Sequence, residues 1–167
     1  DGENEEACIN EDAYDKICGL LKVLKHPDVR ESIYNAIDDY AMFLITALFC
    51  TKMIDNTDIR YYQTVLLKIA RKNRKTFYSA VIFILTMLTE PPMSRFFSVA
   101  PDLKLSSELK IAIKKIIKAN PEIEEEAFKI MRSEIRCKIN ENEYIPLAYS
   151  EDKMDGKLAK VWLADEA

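Results

Sequence analysis

The sequence predicts an all-α protein, a compact bundle of six or seven helices around two apolar inner helices. Glycine and proline are scarce (three and six residues), hydrophobic residues make up 49% of the chain, and no Asn-Gly or Asp-Gly hairpin signal is present. Two apolar runs, 42–50 and 77–88, stand out in a chain that is 31% charged. Each run is shorter than the roughly 20 residues of a transmembrane helix, so we expect core helices and no membrane span.

The first half of the chain is predicted to form three helices. Asn10 is a capping residue for a helix that ends near Lys25, just before a His-Pro pair. The next helix, 28–54, is amphipathic in its first part and apolar on nearly every side in its second. A third helix follows the polar connector 55–58 and ends near Lys72 in a cluster of cations, which suit a helix C-terminus.

The second half is predicted to hold three further helices, at 76–89, 107–119 and 120–139. A Pro-Pro pair stops the first of them. Asn120-Pro121 followed by acidic residues is the clearest helix start in the sequence, because it combines a capping amide, proline in the first turn and acids at the positive end of the dipole.

The segments between and after these helices are predicted to be loops or short turns. Residues 93–105 form a long connection in which Phe96 or Phe97 plugs the end of the bundle, and 140–156 form a loop. One or two amphipathic helical turns are expected at 157–164. The predicted organisation is a disordered acidic tail (1–9), a helical domain (10–140), and a C-terminal loop with a short amphipathic segment (141–167).

A central apolar helix within six or seven others is similar to the architecture of Bcl-2-like folds, and it also suits HEAT-like modules and cyclin boxes. The Asn-Trp-Gly-Arg signature of the Bcl-2 family is absent from the sequence. Architecture alone does not assign a function, so the sequence assigns no family.

Catalytic and metal-binding patterns are not recognised in the sequence. The single histidine, His26, precedes a proline at a helix boundary, and the three glycines are scattered rather than grouped in a phosphate-binding loop. Residues 124–126 are all Glu, but acids in a first turn usually complement the helix dipole. We therefore expect a protein that is not an enzyme, with no metal and no cofactor.

A basic cluster is the best candidate for binding a partner. Its members are Lys68, Arg71, Lys72, Arg74 and Lys75. Aromatic residues lie nearby, so the cluster could bind phosphates and stack bases, but the sequence pI of about 5.2 is low for a dedicated nucleic-acid-binding domain. An acidic segment of another protein is the favoured partner, and nucleic acid is the second choice.

The only tryptophan, Trp162, is the other candidate partner-binding residue, since an exposed tryptophan is a common interface anchor. The favoured function is a non-catalytic adaptor or scaffold domain that binds a helical or acidic segment of a partner. The alternatives are a nucleic-acid-associated subunit that uses the basic cluster and a secreted helical effector or surface protein. We expect an intracellular location, nuclear or cytoplasmic, with secretion as the alternative.

Overall fold

The chain is a mixed α/β protein, so the prediction of an all-α bundle with HEAT-like or Bcl-2-like packing is wrong. The computed structural model describes residues 6–70, 72–148 and 160–164. These residues form two compact units that meet in the sequence between Asn73 and Arg74. The first unit contains a two-stranded sheet and the second a five-stranded sheet.

The first unit consists of three helices and one pair of strands. In chain order they are β1 (Ala7–Ile9), α1 (Glu11–Val23), α2 (Ile33–Ala36), α3 (Asp39–Cys50) and β2 (Thr51–Met53). β1 and β2 pair antiparallel, with Ala7 opposite Met53. The side chain of Asn10 accepts a hydrogen bond from the N–H of Ala13 at 2.8 Å, which confirms the predicted cap.

Two helix predictions in the first unit are wrong. The predicted helix 28–54 is divided into α2 and α3 by extended backbone at Ile37, and its last residues form β2. The predicted helix that ends at Lys72 is absent, because residues 62–70 have no regular secondary structure. This segment contains Tyr, Thr and Val side chains that favour extended backbone over helix. Of the expected disordered tail, 1–5 lie outside the described residues and Ala7–Ile9 form β1.

The second unit packs helices on a mixed sheet. Its elements are α4 (Lys75–Thr89), β3 (Arg95–Ala100), α5 (Leu103–Lys118), α6 (Pro121–Ala127), β4 (Phe128–Ile130), β5 (Ile135–Cys137), β6 (Glu143–Ala148) and β7 (Val161–Ala164). The strand order is β4-β5-β6-β3-β7. β3 is parallel to both of its neighbours, with Phe97 opposite Ile145 on one side and Trp162 on the other.

The central strand β3 corrects the prediction of a long loop at 93–105. Phe96 and Phe97 do not plug the end of a bundle, because they lie in this strand with 0% and 2% of their surfaces exposed. Every residue of β3 after Arg95 is buried. A strand covered on both faces has no polar alternation, so the sequence pattern gave no signal for it.

Three further predictions near the C-terminus are corrected. The predicted helix 120–139 begins as expected but ends at Ala127, and its remainder forms β4 and β5. The predicted loop at 140–156 contains β6. Residues 161–164 form a strand rather than helical turns. β6 pairs with β5 only at Glu143 and Tyr144, so Pro146 lies beyond the last residue that β5 reaches.

The core of the second unit is formed by α4, α5 and the sheet. The predicted inner helix 76–89 is confirmed as α4, most of whose residues are buried. Phe83 of α4 contacts Tyr144 of β6 edge to face, with ring centroids 5.2 Å apart, and the hydroxyl of Tyr144 lies 2.7 Å from that of Ser98. None of the helices within the described ranges has the length and apolar character needed to cross a bilayer.

Candidate functional site

Two members of the predicted basic cluster, Arg74 and Lys75, form the beginning of α4 rather than the end of a helix. Lys68 lies in the exposed irregular segment 62–70, and Arg71 lies outside the described residues. Lys72 and Arg74 both have left-handed backbone conformations, with φ of 70° and 56°. Arg74 is the N-cap of α4, and Lys75 is its first residue. The prediction that these cations close a helix is therefore wrong.

The first turn of α4 is positively charged, unlike those of α1 and α6; the first turn of α5 also holds no acidic residue and contains Lys104, but the carboxylate of Asp102 caps that helix. Glu11 and Asp12 occupy the first turn of α1, and Glu122 and Glu124 that of α6, where acidic side chains suit the helix dipole. In α4, which the structure describes along its whole length, the first turn holds no acidic residue and begins with Lys75. A cation at this end costs about 0.3–1 kcal/mol. A bound anion would offset that cost.

The N-cap of α4 carries a side chain without an acceptor, whereas the caps of the other described helices are Asn, Ser or Asp, although Asp38 of α3 and Asn120 of α6 make no side-chain cap bond either. The side chains of Asn10, Ser32 and Asp102 each accept a hydrogen bond from an N–H three residues later. Arginine carries only donors, so Arg74 cannot satisfy the first-turn N–H groups of α4 in this way. N–H groups at a helix N-terminus are the usual partners of bound phosphate.

Hydrogen bonds at the far end of α4 show where its N-terminus lies relative to the sheet. The side-chain amides of Asn140 and Asn142 donate to the carbonyl oxygen of Met87, at 2.8 and 3.0 Å. Since Asn142 directly precedes β6, the C-terminal end of α4 lies at the start of that strand. Phe83, midway along α4, contacts Tyr144 in β6.

The N-terminal end of α4 must therefore lie toward the C-terminal edge of the parallel strands. The contacts run in one direction, since Met87 lies at Asn142 and Phe83, four residues earlier in α4, lies at Tyr144, two residues later in the chain. Ligands of open α/β sheets bind outside the carboxyl ends of the strands. The basic start of α4 lies on the side of the sheet where such a ligand is expected.

Residues 69–76 match the last two positions of the phosphate-binding loop pattern G-x-x-x-x-G-K-[ST]. In that pattern the lysine reaches the phosphates and the hydroxyl coordinates Mg²⁺. Lys75 and Thr76 hold these two positions, whereas Ile69 and Arg74 replace the two glycines. Arg74 nevertheless keeps the left-handed backbone that glycine adopts most readily.

Sequence reasoning selected Lys75 as part of the basic cluster but missed its place in a phosphate-binding loop, and it missed Thr76, because it searched for grouped glycines. A weaker signal was present, since an apolar segment (65–70, interrupted by one lysine), a polar loop and an apolar helix follow one another around the Lys-Thr pair. Asp165 and Glu166 were also passed over. They follow β7 directly in the sequence, outside the described residues, and an acidic residue of this kind holds Mg²⁺ in phosphate-loop enzymes.

Trp162 lies in β7, where its Cα is opposite that of Phe97 in β3. The strand replaces the short amphipathic helix expected there, and 157–159 lie outside the described residues. A role for Trp162 as an anchor for a partner remains a prediction.

Comparison with known proteins identifies a family and a similar fold. Residues 39–167 match the family described as terminase large subunit, ATPase domain. The structure is similar to the crystal structure of the HK97 bacteriophage large terminase, with a TM-score of 0.72 and 19% sequence identity. That match covers 91% of this chain and 30% of the HK97 chain, so this chain spans less than a third of that protein's length. A comparison with curated proteins gives no match.

The family match corrects the functional predictions. The prediction of a non-catalytic adaptor or scaffold, and with it the prediction that the chain is not an enzyme, is wrong because the matching family consists of ATPase domains. The nucleic-acid-associated alternative fits a terminase family better. Since the match extends over 39–167, well over half of the sequence, the chain belongs to the family of terminase large subunit ATPase domains.

Proposed function

We propose that this chain is the nucleotide-binding part of a terminase large subunit, which binds ATP at the start of α4 and hydrolyses it to move DNA. The observation that carries the proposal is the positive charge at the N-terminus of α4. Arg74 and Lys75 lie where a helix favours anions, on the side of the sheet where α/β proteins bind ligands. A polyphosphate is an anionic ligand that suits both the charge and the position of these residues.

Each residue at the start of α4 has a role that suits a triphosphate. Lys75 supplies a point charge for the outer phosphates, as the lysine of a phosphate-binding loop does. The N–H groups of the first turn donate to phosphate oxygens. Lys75 and Thr76 are half-buried whereas Arg74 is exposed, so the phosphates would lie at the surface end of the helix.

The residues present fit a Mg²⁺ ion that accompanies the nucleotide. Thr76 offers a hydroxyl in the first turn of α4 beside Lys75, and hydroxyl, carboxylate and phosphate oxygens are the ligands Mg²⁺ prefers. Within the described ranges, no group of three or more His, Cys, Asp or Glu could hold a metal by itself. When bound, Mg²⁺ neutralises charge on the phosphates.

Asp165 and Glu166 supply the acidic groups that hydrolysis requires. We assign Asp165 to the metal, as in phosphate-loop enzymes, and Glu166 as the acceptor of a proton from the attacking water. The strand β7 that precedes them is parallel to β3, so its carboxyl end points to the same edge of the sheet as that of β3.

DNA is the polymer that we propose the enzyme moves, and this part of the proposal rests on the family alone. Contacts to DNA phosphates are sequence-independent and weaken with salt. DNA should therefore stimulate ATP hydrolysis at low salt more than at high salt. A helical or acidic protein partner remains a prediction.

The test is ATP binding and hydrolysis by the full chain and by Lys75→Ala. We expect the substitution to abolish hydrolysis and weaken ATP binding at least about tenfold, because the charge on the outer phosphates is lost. Lys114→Ala removes an exposed lysine of α5 and is the matched control, expected to behave as the unmodified protein. Unchanged hydrolysis in Lys75→Ala, or no ATP binding by the unmodified chain, would contradict the proposal.

A further inference from the structure

The residue before Lys75 departs from the phosphate-loop pattern in a way that bears on specificity. Glycine normally occupies this position, because the backbone has positive φ and approaches the phosphates closely. Here the residue is Arg74, with φ 56° and ψ 26°, and it is exposed. The backbone conformation suited to glycine is kept, and a cationic side chain is added to it.

We propose that Arg74 is a specificity-determining residue whose guanidinium binds the terminal phosphate of a nucleoside triphosphate and so selects it over the diphosphate. This inference rests on the proposed function and adds to it a residue that the general phosphate-loop pattern does not contain. The site already has the loop lysine, Lys75, so Arg74 supplies a second cation at the start of α4.

The chemistry of the two cations differs. Lysine acts as a point charge, whereas the planar guanidinium of arginine makes two parallel hydrogen bonds to phosphate oxygens. Arg74 is the N-cap, so its Cα lies just outside the first turn whose N–H groups face an anion. The proposed contact joins the guanidinium on this side chain to the outermost phosphate, which a diphosphate lacks.

The side chain of Arg74 would have the opposite effect if it obstructed the phosphates instead of binding one, and the two effects can be told apart by experiment. Close backbone approach at this position is one reason for glycine in phosphate-binding loops. A Cβ and a long side chain could therefore obstruct the phosphates. If so, Arg74→Gly would tighten the binding of ATP and ADP together, whereas loss of a terminal-phosphate contact would weaken ATP alone.

The experiment measures the dissociation constants of ATP and ADP for the full chain and for three variants, by competition against a fluorescent nucleotide. We expect Arg74→Gly to weaken ATP about tenfold, as the loss of a charged bidentate contact would, with ADP little changed. The ATP affinity of Arg74→Lys should lie between those of the unmodified chain and of Arg74→Gly, because lysine keeps the charge and loses the planar fork. Lys75→Ala should weaken the binding of both nucleotides at least about tenfold.

The outcomes separate this inference from the function on which it rests. If Lys75→Ala weakens the binding of both nucleotides but Arg74→Gly keeps the ratio of ATP to ADP affinity, the proposed function stands and the role of Arg74 is refuted. Tighter ATP binding by Arg74→Gly refutes it as well. If the unmodified chain binds neither nucleotide, the proposed function fails, and the inference fails with it.

Discussion

The hydroxyl of Tyr40 donates a hydrogen bond to the carbonyl oxygen of Asn73, at 2.5 Å and across 33 residues of sequence. Tyr40 lies at the start of α3, and Asn73 directly precedes Arg74. The carbonyl of Asn73 and the N–H of Arg74 belong to one planar peptide group. Tyr40 therefore fixes the orientation of the peptide group that joins Asn73 to Arg74.

Replacing Tyr40 by Phe should raise the KM for ATP several-fold and leave kcat nearly unchanged. A typical hydrogen bond contributes about 0.5–1.5 kcal/mol, and its loss would let the peptide before Arg74 rotate. Steady-state hydrolysis measures both constants. The matched control is Tyr34→Phe, which removes a hydroxyl and keeps the ring that lies under the Lys22 amine; a KM equally raised in both variants would argue against a local effect.

Arg74→Gly should stabilise the protein relative to Arg74→Ala. Both variants remove the side chain, but only glycine adopts the left-handed conformation without a penalty of about 1–2 kcal/mol. The greater freedom of glycine in the unfolded chain offsets part of the gain, so we expect a difference of about 0.5–1 kcal/mol in urea denaturation. Equal unfolding free energies would mean that φ at position 74 is not positive in solution.

Ile84→Ala should cost about 2–5 kcal/mol of unfolding free energy, because the side chain is completely buried in α4 and its removal leaves a cavity. Phe43→Ala is the contrast. Phe43 belongs to the other apolar run, yet it is 77% exposed, so its truncation should change stability by no more than about 0.5 kcal/mol. Chemical denaturation of both variants checks the prediction, and similar losses in the two would contradict the fold described above.

Stability should decline as the pH rises from about 9 toward 11, in part through Cys50. Burial, with a smaller contribution from nearby Cys18, raises the pKa of the Cys50 thiol from 9.0 to about 11. The folded state thus favours the neutral thiol. Stability is complete below the pKa of the unfolded chain and is lost as the pH rises toward the folded pKa, because the unfolded state ionises first.

Urea denaturation between pH 8 and 11 measures this decline, with Cys50→Ala as the comparison. Burial raises the pKa of Tyr144 as well, so part of the decline should persist in the variant. An identical pH dependence with and without Cys50 would show that its thiol contributes nothing to the decline.

The sequence predicted the elements whose signals are local. Asn10 marks the start of α1, the apolar run at 77–88 marks α4, and Asn120-Pro121 marks the start of α6. The strands were missed because their stability depends on distant partners. In β3, Phe96 lies opposite Tyr144 of β6 and Val161 of β7, which are 48 and 65 residues further along the chain. No local sequence pattern indicates such distant pairing.

The charge of the candidate site was recognised in the sequence, but its secondary structure was predicted wrongly. Lys72, Arg74 and Lys75 were selected as a binding cluster, yet the cations were assigned to the end of a helix that does not form. The phosphate-loop pattern was not recognised because Arg74 stands where the pattern has glycine. Its backbone is left-handed, but arginine does not predict that conformation as glycine does. Family membership came from comparison over 39–167, which a single sequence does not provide.

Pro146 has a consequence for how the molecule behaves in a crowded solution. Past Tyr144, β6 pairs on one side only among the described residues, since β5 ends its pairing there. An unpaired strand edge invites a strand from another molecule, and proline withholds one of the donors that such a strand would use. The edge of β6 that the short β5 leaves unpaired therefore carries a proline, the residue type that discourages aggregation along such an edge.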